Sequence, residues 1–135
     1  MDHEKRGNAV IFYHHAYDKQ RYAKRENSLQ ELDQLSKLLR HLSFELHVFR
    51  DYSRAQVIQA IDEQVEADHS NADCFFLAFL THGNVGTVAA RDGDISLKAE
   101  FDKFGDHRCK SLRGKPKIFY IMVKRITVVA SRSSG

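Results

Sequence analysis

The run Asp73 to Gly83, DCFFLAFLTHG, limits this chain more than any other stretch. A β-strand sends alternate side chains to opposite faces, and here neither face has a polar residue until Thr81. Such a strand must lie inside a sheet covered on both sides, the usual setting of a central parallel strand. KPKIFYIMVKRI, residues 115–126, contains a second strand of this kind from Lys117 to Val123. Two such strands call for layers of helix above and below them.

The rest of the chain supplies those layers. NAVIFYHHA (8–16) and FELHVFRD (44–51) are rich in β-branched and aromatic residues and read as strands. Between them, Ser28 and Glu31 have the spacing of a capping box, and Leu29, Leu32, Leu35, Leu38, Leu39 and Leu42 mark one helical face. Ser53 and Gln56 open a second helix whose buried side carries Val57, Ile58, Ile61 and Val65. The stretch 85–97 holds Asp92-Gly93 between short β-like runs and reads as a hairpin. A short helix follows near Ser96 to Phe104, and HRCKSLRGKPK is loop. The order of elements predicts an α/β domain with a mostly parallel sheet, helices on both faces and a small β-hairpin. The domain is expected over residues 1–126. Residues 127–135 are expected to be a disordered tail or a linker.

Composition narrows the function classes. A length of 135 residues suits one domain, and 42% apolar with 29% charged residues is ordinary for a globular protein. A net charge of +3, with basic residues scattered among acidic ones, gives no footprint for nucleic acid. No apolar run approaches the roughly 20 residues that span a bilayer. The polar start MDHEKRGNAV does not read as a signal peptide, and two cysteines make no disulfide framework. A cytoplasmic setting is expected. His14-His15 and His107 with Cys109 lack metal-ligand spacing, and no Gly-rich loop follows the first strand, so neither a metal nor a cofactor is expected.

In open α/β sheets, chemistry gathers at the C-terminal ends of strands. His82 stands at one such end and Lys124 at another. A histidine there suits a general base, and the N–H of Gly83 suits an oxyanion. Taken alone, Thr81-His82-Gly83 is as well explained by a strand ending in a glycine turn.

Three blocks add weight: RGNAVIF near the start, DHSNADCFFLAFLTHG in the middle and CKSLRGKPKIFYI near the end. In order and spacing they resemble the large catalytic subunit of a caspase, with Thr81 where that family has serine. The resemblance implies that His82 matches the catalytic histidine and Gly83 the oxyanion-hole glycine. It implies that Arg25 matches the arginine that grips the substrate aspartate, a contact a planar guanidinium suits. It also places Met122 at a pocket glutamine, Val123 at an alanine, Lys124 at the nucleophilic cysteine and Ile126 at a glycine. Asn27 stands where a glycine is usual. Cys74 and Cys109 read as ordinary core or structural residues.

A protonated ammonium does not attack a peptide as a thiolate does. On that basis the expectation is a chain that is not an enzyme. It would be a decoy or pseudoenzyme with vestigial His82, Gly83, Arg25 and Met122, regulating an active caspase in apoptosis by forming a complex with it. The partner would be that caspase or a caspase small subunit. The alternatives are an active aspartate-directed cysteine peptidase with reassigned groups and an inactive truncated large subunit.

Overall fold

The computed structural model describes residues 6–18, 28–84, 86–122 and 126–132. Its main sheet has five strands: β1 (Gly7–Tyr13), β2 (Phe44–Arg50), β3 (Phe75–Leu80), β7 (Pro116–Met122) and β8 (Ile126–Arg132). The strand order is β2-β1-β3-β7-β8, and the first four run parallel. A second sheet joins β4 (Gly83–Asn84), β5 (Thr87–Ala89) and β6 (Asp94–Ser96) in antiparallel order. The helices are α1 (Ser28–His41), α2 (Arg54–Glu66) and the short α3 (Leu97–Asp102). The expected fold class is therefore observed, including the hairpin, whose turn holds Asp92-Gly93.

The period of two in the central strands divides the core. Ala9, Ile11 and Tyr13 of β1, with Phe76, Ala78 and Leu80 of β3, pack with Leu35 and Leu39 of α1. Val10 and Phe12, with Phe75, Leu77 and Phe79, pack with Val57, Ala60, Ile61 and Val65 of α2. Every residue of β3 is buried, as its sequence requires. Strand β7 is less symmetric. Lys117, Phe119 and Ile121 are buried, whereas Ile118, Tyr120 and Met122 are half-buried on the α1 side.

Two expectations are corrected. The leucines of α1 do not share one face: Leu35 and Leu39 are buried and Leu32 partly so, but Leu29, Leu38 and Leu42 are exposed. At about 100° per residue the first three fall within about 60° of one another, while Leu29 and Leu38 lie about 90° or more from their centre. The outer edge of β7 is paired. β8 pairs along it from Met122↔Ile126 to Pro116↔Arg132. Residues 126–132 are thus strand and not a frayed tail, because seven residues, several of them β-branched, follow closely on an edge that needs partners.

The start of β1 depends on a glycine. Gly7 has φ 150°, and a Cβ there would collide with the backbone carbonyl of Cys74. Arg6 holds the same junction: its carbonyl accepts from Asp73 N–H at 2.8 Å and Cys74 N–H at 3.2 Å. α2 is fixed by its own cap, in which the Ser53 hydroxyl accepts from Gln56 N–H and the Gln56 side chain accepts from Ser53 N–H. The equivalent box expected at Ser28 and Glu31 differs, since Ser28 is already the first residue of α1.

At the opposite edge from the hairpin, His69 is buried. Its Nε2–H donates to the Gln64 carbonyl at 2.7 Å, which fixes the neutral tautomer, and its ring meets Phe75 edge-on. Burial lowers its pKa, against the Gln64 hydrogen bond that raises it.

Two outcomes follow. Gly7→Ala should cost more than about 2 kcal/mol of stability in urea unfolding, since both φ and the Cys74 contact oppose a side chain. Because folded His69 is held neutral while the unfolded ring titrates near its ordinary value, stability is complete above about pH 6.5 and falls as pH drops below it. His69→Gln should flatten that slope between about pH 6.5 and 5, measured as urea midpoints across pH.

Candidate active site

β3 and β7 are adjacent and parallel, so their C-terminal ends meet at one edge of the sheet. The register pairs Leu80 with Met122, and Thr81 N–H donates to the Met122 carbonyl at 3.1 Å. His82 and Gly83 follow immediately, and Gly83 opens β4 opposite Val88. The structure thus brings His82, Gly83 and Met122 to the same edge, as the sequence implied. Arg25, Asn27, Val123 and Lys124 lie outside the described residues.

His82 is held by its main chain. Its N–H donates to the Tyr17 hydroxyl at 3.1 Å, and its carbonyl accepts from Ala89 N–H at 2.8 Å. The ring is partly exposed and tilts against the Tyr17 ring at 5.6 Å between centroids. Tyr17 in turn stacks on His14 at 5.9 Å, and the His14 ring nitrogen Nε2 lies 2.9 Å from the Tyr52 carbonyl. The same carbonyl accepts from Arg91 N–H at 3.0 Å, and Asp18 N–H donates to the Arg91 carbonyl at 2.9 Å. Asp51 completes the floor: its carboxylate accepts from His15 N–H at 2.8 Å and Ala16 N–H at 3.3 Å. Sequence reasoning had passed over Tyr17. The available signal was a hydroxyl-bearing aromatic just beyond β1, at the edge where His82 also falls.

Neither cysteine belongs to this edge. Cys74 precedes β3 at its far end, on the order of 25 Å of extended strand from His82. Cys109 is buried in the α2 layer, near Lys117 at the start of β7. Burial pushes both thiols above the ordinary cysteine range, which disfavours the thiolate. The reading of both as structural residues fits this placement.

A histidine and an adjacent glycine at the end of a central parallel strand, beside the end of the next strand, have the placement that a Cys-His site requires of its base. Comparison with known proteins decides the family, because residues 6–128 match the sequence profile of the caspase domain. The chain belongs to the caspase family. It is 38% identical to Caspase-6 of Gallus gallus over 126 residues, covering 93% of this chain and 41% of that protein. It is 36% identical to Caspase-1 of Spodoptera frugiperda over 121 residues, covering 90% and 40%. The structure of pro-sf-caspase-1 superposes with a TM-score of 0.87 at 35% identity, covering 91% of this chain and 52% of that one. The chain therefore spans about two fifths of the length of these curated relatives.

These findings correct one expectation. The chain was expected not to be an enzyme, on the strength of Lys124 at the nucleophile's position. Its relatives are caspases, which are cysteine peptidases. Residues 123–125, on which the expectation rested, are not among the described residues, and nothing in the described part of the caspase fold shows loss of a catalytic cysteine. The non-enzyme assignment is withdrawn. No helix among the described residues is long and apolar enough to cross a membrane.

Because both thiols are buried and held protonated, Cys74 and Cys109 should react slowly with a thiol reagent such as 5,5′-dithiobis(2-nitrobenzoate) in the native chain. Both should react at once in denaturant, so the two-cysteine titre should appear only after unfolding.

Proposed function

We propose that this domain is the histidine-bearing half of a caspase-type cysteine peptidase that cleaves peptides after aspartate. The supporting observation is His82-Gly83 at the end of β3, tied to the end of β7 by the Thr81 N–H bond to Met122. In this reading His82 takes the proton of a cysteine thiol. The thiolate attacks the peptide carbonyl, and the Gly83 N–H faces the developing oxyanion. His82 then returns the proton to the leaving amine, and water hydrolyses the thioester. Arg25 binds the substrate carboxylate, and Met122 gives the pocket an apolar wall.

In this reading neither Cys74 nor Cys109 is the thiol, since both are buried away from this edge. The completing polypeptide therefore has to bring the thiol to the edge shared by β3 and β7. That partner is an active caspase chain, met in the cytoplasm. The half-buried Ile118, Tyr120 and Met122 offer it apolar contact. Strand β8 lies along the β7 edge, so a partner strand has to displace β8 or add beyond it.

A chimera tests the reading directly. Residues 1–122 of this chain are joined to the segment that follows the matching strand in Spodoptera frugiperda Caspase-1, and hydrolysis of an aspartyl peptide is measured. The chimera should be active, and His82→Ala should lower kcat by about 10²–10⁴-fold. Arg25→Ala should act mainly on KM. An inactive chimera, beside an active parent caspase, overturns the proposal.

A further inference from the structure

Tyr17 takes part in a closed set of hydrogen bonds around His82, and the donors in that set can be assigned. The Thr81 hydroxyl donates to the Ala89 carbonyl at 2.8 Å. A hydroxyl has one proton, so in the 2.6 Å contact between Tyr17 and Thr81 it is the tyrosine that donates. The Tyr17 oxygen remains an acceptor, and His82 N–H donates to it at 3.1 Å. The chain thus runs His82 N–H to Tyr17 O–H to Thr81 O–H to the Ala89 carbonyl, and Ala89 N–H returns to the His82 carbonyl at 2.8 Å. Bonds aligned in this way polarise one another, and both hydroxyls are removed from water: Thr81 is 0% and Tyr17 8% exposed.

Thr81 is the junction of three segments. Its N–H reaches the end of β7, its hydroxyl reaches β5, and its oxygen accepts from the loop after β1. As a β-branched residue it has few side-chain rotamers, which holds the hydroxyl in place.

We propose that Tyr17 is a positioning residue for His82: its hydroxyl, acting through Thr81 and on the His82 amide, fixes the main chain from which the imidazole projects. The proposal rests on the reading of His82 as the base of a peptidase, and its tests separate the two. No charge is involved, so the coupling does not require the site to be complete.

The first test uses the full chain and needs no activity. Amide hydrogen exchange is followed by NMR in the native protein, in Tyr17→Phe, which keeps the ring and loses only the hydroxyl, and in Thr81→Val and Thr81→Ser. In Tyr17→Phe, exchange at His82 and Ala89 should quicken at least tenfold, while Ala78 and Phe79 in β3 keep their native rates. Thr81→Val should reproduce that local effect, Thr81→Ser should restore native rates, and the double variant Tyr17→Phe, Thr81→Val should be no faster than either single. Unchanged exchange at His82 in Tyr17→Phe, or additive effects in the double variant, overturns the proposal. So does quickening spread equally over β3, which would mark a general loss of stability. The second test uses the chimera: Tyr17→Phe should lower kcat about tenfold with KM within about twofold of its starting value. An effect on KM alone, or none on kcat, overturns the positioning role. If the chimera has no activity to measure, the peptidase reading falls, and the exchange data still decide whether Tyr17 holds His82.

Discussion

The sheet is organised by the burial of β3. Six apolar residues in extended backbone cannot face water on either side, so the chain must place strands beside them and helices above and below. β1 and β7 become the neighbours, α1 and α2 the covers. The strand then has to end. It does so at Thr81, the first polar residue, where the backbone N–H finds the Met122 carbonyl and the hydroxyl finds Ala89. His82 follows one residue later. The same burial that makes β3 rigid therefore sets where His82 can stand.

The two ends of the sheet have different work. The end that carries Cys74, His69 and the Gly7 junction is closed by packing and by backbone bonds, and burial favours the neutral forms of His69 and Cys74. The other end has the partly exposed His82, the glycine after it and a hydrogen-bonded floor made of the loop after β1, Asp51 and Arg91. That division matches the general placement of sites beyond the C-terminal ends of parallel strands. It also leaves Cys74 and Cys109, both buried, away from the edge where His82 stands. Burial raises the pKa of both thiols, which favours their protonated forms.

The place of Tyr17 shows how a side chain with no motif comes to matter. It follows β1 by four residues, and the parallel pairing of β1 with β3 carries both strand ends to the same edge. Once there, a phenol is long enough to reach across to Thr81 and to the His82 amide at once. A ring of ordinary neutral hydrogen bonds is sufficient, because water is excluded from most of it.

Much of the architecture was legible in the sequence, because burial on two faces and helical spacing are local patterns. CFFLAFL implied a central strand, Ser53 with Gln56 a capped helix, Asp92-Gly93 a hairpin, and His82 a position at a strand end. The three blocks that resemble caspases agreed with all of these. Other properties were not local. Which leucines of α1 are buried depends on where the helix axis lies over β1 and β3, so Leu38 and Leu42 could not be told from Leu35 and Leu39. Whether residues 126–132 are frayed or paired depends on the free edge of β7, since a strand's hydrogen bonds are made with a partner and not within itself. The contact of Tyr17 with Thr81 joins residues 64 apart, and only the sheet brings them within reach. The sequence by itself determined the elements other than β8 and the sheet edge at which His82 stands. The tertiary structure decided which side chains meet at that edge, because distance between them is set by strand order and register.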